Sequence, residues 1–170
     1  GIAPINIYIN DSQRFEGDSN SVGMTFTISR SSSVLTSTVL FATGDGTAVA
    51  GVDYQAHTQV VTFPIGSLAQ TVTVSVTGDT IVEADEMFTA SLSSVVNGVI
   101  VDGASVGTIM NDDSATVNIG GATSAESAGP QTVAITLSTA VDVPVSVTVA
   151  TADSSASIAN DDYESLNQIL

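Results

Sequence analysis

Apolar and polar residues alternate with period two in a series of short runs. Ile5, Ile7 and Ile9 form the first. Met24, Phe26 and Ile28 form the next, separated by Thr25, Thr27 and Ser29. Val72, Val74 and Val76 then alternate with Thr71, Thr73 and Ser75, and Phe88, Ala90 and Leu92 continue the pattern. Each run is rich in stiff β-branched residues and bounded by Gly, Asp, Asn or Ser, which is the signature of half-buried strands. No stretch repeats with period 3.6 over the length of a helix. The runs predict seven strands, at 4–10, 22–30, 36–43, 58–64, 70–77, 87–95 and 104–111. Seven strands in about a hundred residues predict an all-β fold, an immunoglobulin-like antiparallel β-sandwich.

The chain then repeats itself. Met24 to Ser29 (MTFTIS) matches Val133 to Ser138 (VAITLS), and Glu16 in FEGDSN matches Glu126 in AESAGP. Asp45 to Tyr54 (DGTAVAGVDY) matches Asp153 to Tyr163 (DSSASIANDDY) with one residue inserted. The offsets agree on a period of about 109 residues, so one repeat is one whole sandwich. The reading is a complete domain at 1–113 and a partial second β-sandwich repeat at 114–170. The second copy keeps three strand patterns, around Val117 and Ile119, Val133 to Leu137, and Val145 to Val149. Three such strands leave an apolar face and unpaired edges, so self-association through this segment is expected. No Gly/Ser/Pro-rich linker separates the copies at Asn111–Ala115, which predicts that they abut.

Charge changes the picture. The chain carries 18 Asp and Glu against 2 Lys and Arg, a net charge of −16. That excludes a phosphate-backbone partner, because nucleic-acid binding needs a basic surface, and it disfavours an anionic membrane surface. No apolar run approaches the ~18 residues of a spanning helix, so no membrane insertion is expected. The absence of Cys excludes disulfides and thiolate zinc sites. The single His57 is not accompanied by a nucleophile elbow, no P-loop or dinucleotide fingerprint occurs, and no enzyme is predicted. Tyr54, Phe63 and Phe88 lie in strand patterns and read as core.

The acids segregate. In a seven-strand antiparallel sandwich, the loops after the first, third and fifth strands and the exit from the seventh share one end. Those segments hold Glu16 and Asp18, Asp45 and Asp53, Gly78 to Glu86, and Asn111-Asp112-Asp113. The loops at the other end offer Asp102 alone. Two unit charges ~5 Å apart at an effective dielectric of ~20 repel by about 3 kcal/mol, so such a cluster calls for a cation. Calcium suits loop-borne carboxylates and carbonyls, magnesium demands stricter geometry, and zinc prefers His or Cys. Acids that merely solvate loops are the competing reading, and segregation at one pole weighs against it. The spacing is neither that of an EF-hand nor of a glycine-rich nonapeptide repeat.

Asp45 to Tyr54, Val61-Thr62-Phe63-Pro64, the segment from Gly78 to Glu86 and Asn111-Asp112-Asp113 together resemble a Calx-β domain. The resemblance covers 4–113 as a full domain and 114–170 as the first half of another. Calx-β domains are calcium-binding β-sandwiches found in sodium–calcium exchangers, integrin β4 and large bacterial surface and secreted proteins. The resemblance implies calcium as cofactor, with Glu16, Asp53, Asp79, Glu83, Glu86, Asp112 and Asp113 at ligand positions and the Ile81 carbonyl at a backbone ligand position. Asp85 falls in the same acidic motif. Gly78 and Asn111 stand where the calcium-regulatory exchanger domains carry further acids, which implies fewer ions. The expected role is a calcium-binding structural module of an adhesin-like repeat protein, extracellular or at the cell surface, with calcium and adjacent repeats as partners. The alternative is a regulatory calcium sensor, as in the exchangers.

Overall fold

The computed structural model describes residues 3–170. Strands β1 (Asn6–Ile9), β3 (Ser21–Arg30), β6 (Ala69–Thr77) and β8 (Val99–Asp102) make one sheet, in the order β6-β3-β1-β8. Strands β2 (Ser12–Phe15), β4 (Ser37–Gly44), β5 (Thr58–Phe63), β7 (Glu86–Val96) and β9 (Ala104–Met110) make the other, in the order β2-β9-β7-β4-β5. The two sheets face each other as a β-sandwich, and the alternating residues supply the core. Ile7, Phe26, Ile28 and Val76 from the first sheet meet Val39, Phe41, Phe63 and Phe88 from the second, all with no exposed surface. The Phe26 ring lies 5.6 Å from Phe41 and 5.9 Å from Phe88, and Tyr54 stacks on Phe88 at 4.3 Å. Gly107 in β9 makes room for this cluster, since a Cβ there would lie 2.6 Å from the Phe88 ring and 2.9 Å from Phe26.

All seven expected strands are present, and two short strands join them. The run expected at 4–10 ends at Ile9, where its alternation stops, and β2 follows it as a separate strand. Asn10 and Asp11 turn to β9 instead: Ser105 Oγ donates to the Asn10 carbonyl at 2.8 Å, and Val106 N–H donates to Asp11 Oδ1 at 2.8 Å. The chain thereby changes sheets, and β2 runs parallel to β9. The segment expected as a loop at 96–103 contains β8, which runs parallel to β1. Gly98 permits that approach, as a Cβ would lie 2.9 Å from Ile7 Cδ1 and 3.1 Å from the Ile5 carbonyl. The sandwich is thus antiparallel except at these two pairings.

Beyond Met110 the architecture is thinner. β10 (Val117–Ile119) pairs with β11 (Ile135–Leu137), and β12 (Thr148–Ala150) pairs with β13 (Asn167–Ile169), giving two separate two-stranded sheets. The three expected strands are there in shortened form, and β13 is a fourth that the alternation did not announce. Ile119 and Ile169 are 66% and 71% exposed, whereas Ile7 and Ile9 in the first copy are 0% and 3% exposed. Among the described residues there is no α-helix.

Candidate metal centre

The chain leaves β2 at Glu16, and that position decides the chemistry. Glu16 N–H donates to the Met110 carbonyl at 3.1 Å, which extends the β2–β9 ladder by one rung and draws the side chain inward. Glu16 is 6% exposed, the one buried acid among the described residues, and its carboxylate accepts no hydrogen bond there. Carboxylate oxygens of Glu16, Asp112 and Asp113 lie within 4.8 Å of one another. Asp112 Oδ1 accepts from Gly17 N–H at 3.0 Å, and Asp113 Oδ2 is buried with no hydrogen-bond partner. A buried anionic oxygen without a donor is costly to keep, and Asp113 Oδ2 is in that condition beside the buried Glu16.

The other acids close around this group. Burial pushes the Glu16 carboxyl up to about 7, helped by the charges of Glu83, Asp79, Asp113 and Asp112. Glu86, the first residue of β7, is also pushed up to about 7, by burial and then by the charge and hydrogen bond of Asp53. Glu83 rises through burial and the charges of Asp79, Asp53, Asp142 and Asp113, and Asp113 through burial and Asp18, Asp112 and Asp79. Four acids held above their ordinary range at one pole mark a place where negative charge lacks an internal counterpart.

Of the nine residues expected as ligands, the structure brings Glu16, Asp53, Asp79, Glu83, Glu86, Asp112 and Asp113 into mutual electrostatic contact. Ile81 follows on the same loop, where its N–H donates to Asp79 Oδ1 at 2.7 Å and its carbonyl accepts no hydrogen bond among the described residues. Asp85 has a different task. Its Oδ1 accepts from Asn111 N–H at 3.0 Å, and its charge is not among those acting on the raised acids. Asn111 is the organiser that sequence reasoning valued only as a missing acid. Its Oδ1 accepts from Glu83 N–H at 3.2 Å while its Nδ2 donates to the Asp113 carbonyl at 3.1 Å, tying the β6–β7 loop to the exit strand.

Gly78 has a steric explanation. A Cβ at this position would lie 2.1 Å from the Gly17 carbonyl oxygen and 2.5 Å from that of Glu16. Only glycine lets the β6–β7 loop approach the β2–β3 loop closely enough for Asp79 to face Glu16. Asp45, also at this pole, is committed elsewhere: its Oδ1 accepts from Tyr54 OH at 2.7 Å and Ala50 N–H at 2.9 Å. These bonds hold its carboxyl below the ordinary range. The same loop places Asp53, whose Oδ2 accepts from Val49 N–H at 2.6 Å.

The donor set is entirely oxygen. His57 lies apart, with Nε2 3.1 Å from Gln59 Oε1 and its ring against Phe41. Carboxylates and a free carbonyl on loops fit a hard divalent cation, and calcium more readily than magnesium. One acid was missed altogether. Asp142, in the second segment, acts on both Glu83 and Glu86. The short junction at Asn111–Ala115 was the available signal, because it forces the near loops of the second copy against this pole.

Comparison with known proteins places the chain. The family model for the Calx-beta domain matches residues 4–122 and again 111–170. The chain belongs to the Calx-beta family. No curated protein sequence matches it. Among solved structures, the apo form of the Calx CBD1 domain is 25% identical, covering 65% of this chain and 100% of that one at a TM-score of 0.56. CBD12 from CALX1.2 is 25% identical, covering 64% of this chain and 46% of that one, with a TM-score of 0.55. The calcium binding domain CBD12 of CALX1.1 is 26% identical, covering 63% and 44%, with a TM-score of 0.54. This chain therefore spans just under half the length of each CBD12 structure. The sandwich fold and the family are settled by these matches. Among the described residues no helix is long and apolar enough to cross a membrane.

Proposed function

We propose that this Calx-beta chain is a calcium-binding module, with the ion held at the pole of the first sandwich, and that it acts as a calcium sensor. The observation that carries the binding is the buried Glu16 facing Asp112 and Asp113, with Asp113 Oδ2 buried and without a hydrogen-bond partner. Membership of the family and the likeness to a structure described as a calcium binding domain support the choice of ion. Glu16, Asp53, Asp79, Glu83, Glu86, Asp112, Asp113 and the Ile81 carbonyl would hold calcium, which supplies the counter-charge that the pole lacks. The sensor role is supported by the Calx CBD structures to which the chain is similar.

A second reading follows from Gly78 and Asn111. With these two positions neutral, the site has fewer carboxylates and suits millimolar calcium, as in an extracellular or cell-surface module that calcium stiffens. Calorimetric titration separates the readings: a Kd of ~10⁻⁷–10⁻⁵ M supports the sensor, and ~10⁻⁴–10⁻³ M the extracellular module. Calcium at a hundred times Kd stabilises the fold by about 2.7 kcal/mol, read as a rise in melting temperature over chelator. No binding heat together with identical melting curves would remove calcium from the account.

A further inference from the structure

The second segment touches the acid pole through a short backbone clip. Val82, in the β6–β7 loop, bridges Val141 in parallel register. Val82 N–H donates to the Ala140 carbonyl at 3.1 Å, and Asp142 N–H donates back to the Val82 carbonyl at 2.9 Å. Thr139 Oγ1 adds a bond of 2.8 Å to the Thr80 carbonyl. These bonds fix Asp142 beside Glu83, the residue next to Val82.

From this placement we infer that the cation site of the first sandwich is composite, completed from the following segment by the carboxylate of Asp142. This rests on the calcium reading above. Three observations support it. The clip holds an acid against loops that already carry unneutralised carboxylates, an arrangement that repulsion opposes unless a cation lies between them. The charge of Asp142 acts on Glu83 and on Glu86, which follow the clipped Val82 along the chain. Finally, the acid is peculiar to this copy. The match of Met24–Ser29 with Val133–Ser138 puts Ser33 at the place of Asp142, and the first copy has no acid between Arg30 and Ser37.

The full chain carrying Asp142→Asn tests the inference, with Asp142→Glu, Thr139→Ala and Asp102→Asn beside it. The amide keeps the size and the backbone N–H, so the clip survives. Calcium titration of Asp142→Asn should give an affinity weaker by roughly five- to tenfold, while Asp102→Asn stays within twofold of the parent. In chelator, Asp142→Asn should melt no lower than the parent, because a repulsive charge is gone. Asp142→Glu should recover most of the affinity. An Asp142→Asn affinity within twofold of the parent overturns the inference. So does a loss of affinity that Thr139→Ala reproduces together with a lower melting temperature in chelator, since the clip alone would then be responsible. If the parent chain binds no calcium, the underlying reading fails with it. If the parent binds and Asp142→Asn binds equally well, only the composite site fails.

Discussion

The loop Asp45–Tyr54 and its counterpart Asp153–Tyr163 fold alike, and the first stands beside the acid pole. In the first copy Asp45 Oδ1 accepts from Ala50 N–H and Tyr54 OH, and Asp53 Oδ2 accepts from Val49 N–H. In the second, Asp153 Oδ1 accepts from Ile158 N–H at 3.0 Å and Tyr163 OH at 2.6 Å, and Asp162 Oδ2 accepts from Ser157 N–H at 3.0 Å. Asp45 and Asp153 are both held below the ordinary range by the tyrosine hydroxyl first and the backbone N–H second. The loop is therefore autonomous, written in ten or eleven consecutive residues. The acid pole is collective. It needs the β6–β7 loop and the exit from β9, segments far along the chain from the Asp45–Tyr54 loop.

That contrast can be broken most forcefully with pH. Glu16 and Glu86 have folded values near 7 against a usual 4.5, so the folded state binds more protons than the unfolded chain between those limits. Their contribution is intact below about 4.5 and is lost as pH rises through about 7. For Glu16 alone the loss is on the order of 3 kcal/mol at most, using about 1.4 kcal/mol per unit. Melting in chelator should therefore fall from pH 5 to pH 8, and Glu16→Gln should flatten the curve. Calcium requires ionised ligands, so its affinity should climb over the same interval. A chelator curve that rises with pH would mean that the pole is already neutralised from within.

Sterics give the next effect. Gly78→Ala forces a methyl against the Glu16 and Gly17 carbonyls, and overpacking of this kind costs about 1–3 kcal/mol. The loss should appear in chemical denaturation, with weaker calcium binding, because Asp79 is pushed from Glu16. Gly120→Ala in the second segment should cost less, as its nearest atom beyond the chain neighbours is the Ala134 carbonyl at 3.4 Å. The smallest effect compares the two tyrosines. Tyr54→Phe removes a hydrogen bond from a residue that is 1% exposed and should cost about 1 kcal/mol, and Tyr163→Phe in its exposed setting should cost less. Equal losses would show that the second loop is packed as firmly as the first.

Strands whose apolar residues alternate were legible in the sequence because one face is buried and the period survives in composition. The strands β2 and β8 were not. Ser12–Phe15 exposes three of its four residues, and Val99–Asp102 has no fully buried position, so neither carries the period-two mark of a core. β2 is placed by the bond from Val106 N–H to Asp11 Oδ1, and β8 by the close backbone approach that Gly98 permits. The acids of the pole were legible through strand parity, which depends only on counting. What each acid bonds was not. Asp85 and Asp79 sit on one loop, but backbone N–H groups that no sequence period describes draw Asp85 to Asn111. Asp142 needed knowledge of how the second segment docks.

Arg30 completes the picture from the far end of the sandwich. It is 4% exposed, its guanidinium lies 5.2 Å from the Phe63 ring centre, and it donates to the carbonyls of Ser67, Leu35 and Pro64 and to Ser37 Oγ. One of the two cationic residues in the chain is thus locked into loops remote from the acids. The acid pole consequently behaves like a bead of chelating resin, loaded by whatever the surrounding solution offers. On the calcium reading, protons and calcium compete for it, and the composition of the medium, rather than any side chain, sets its charge.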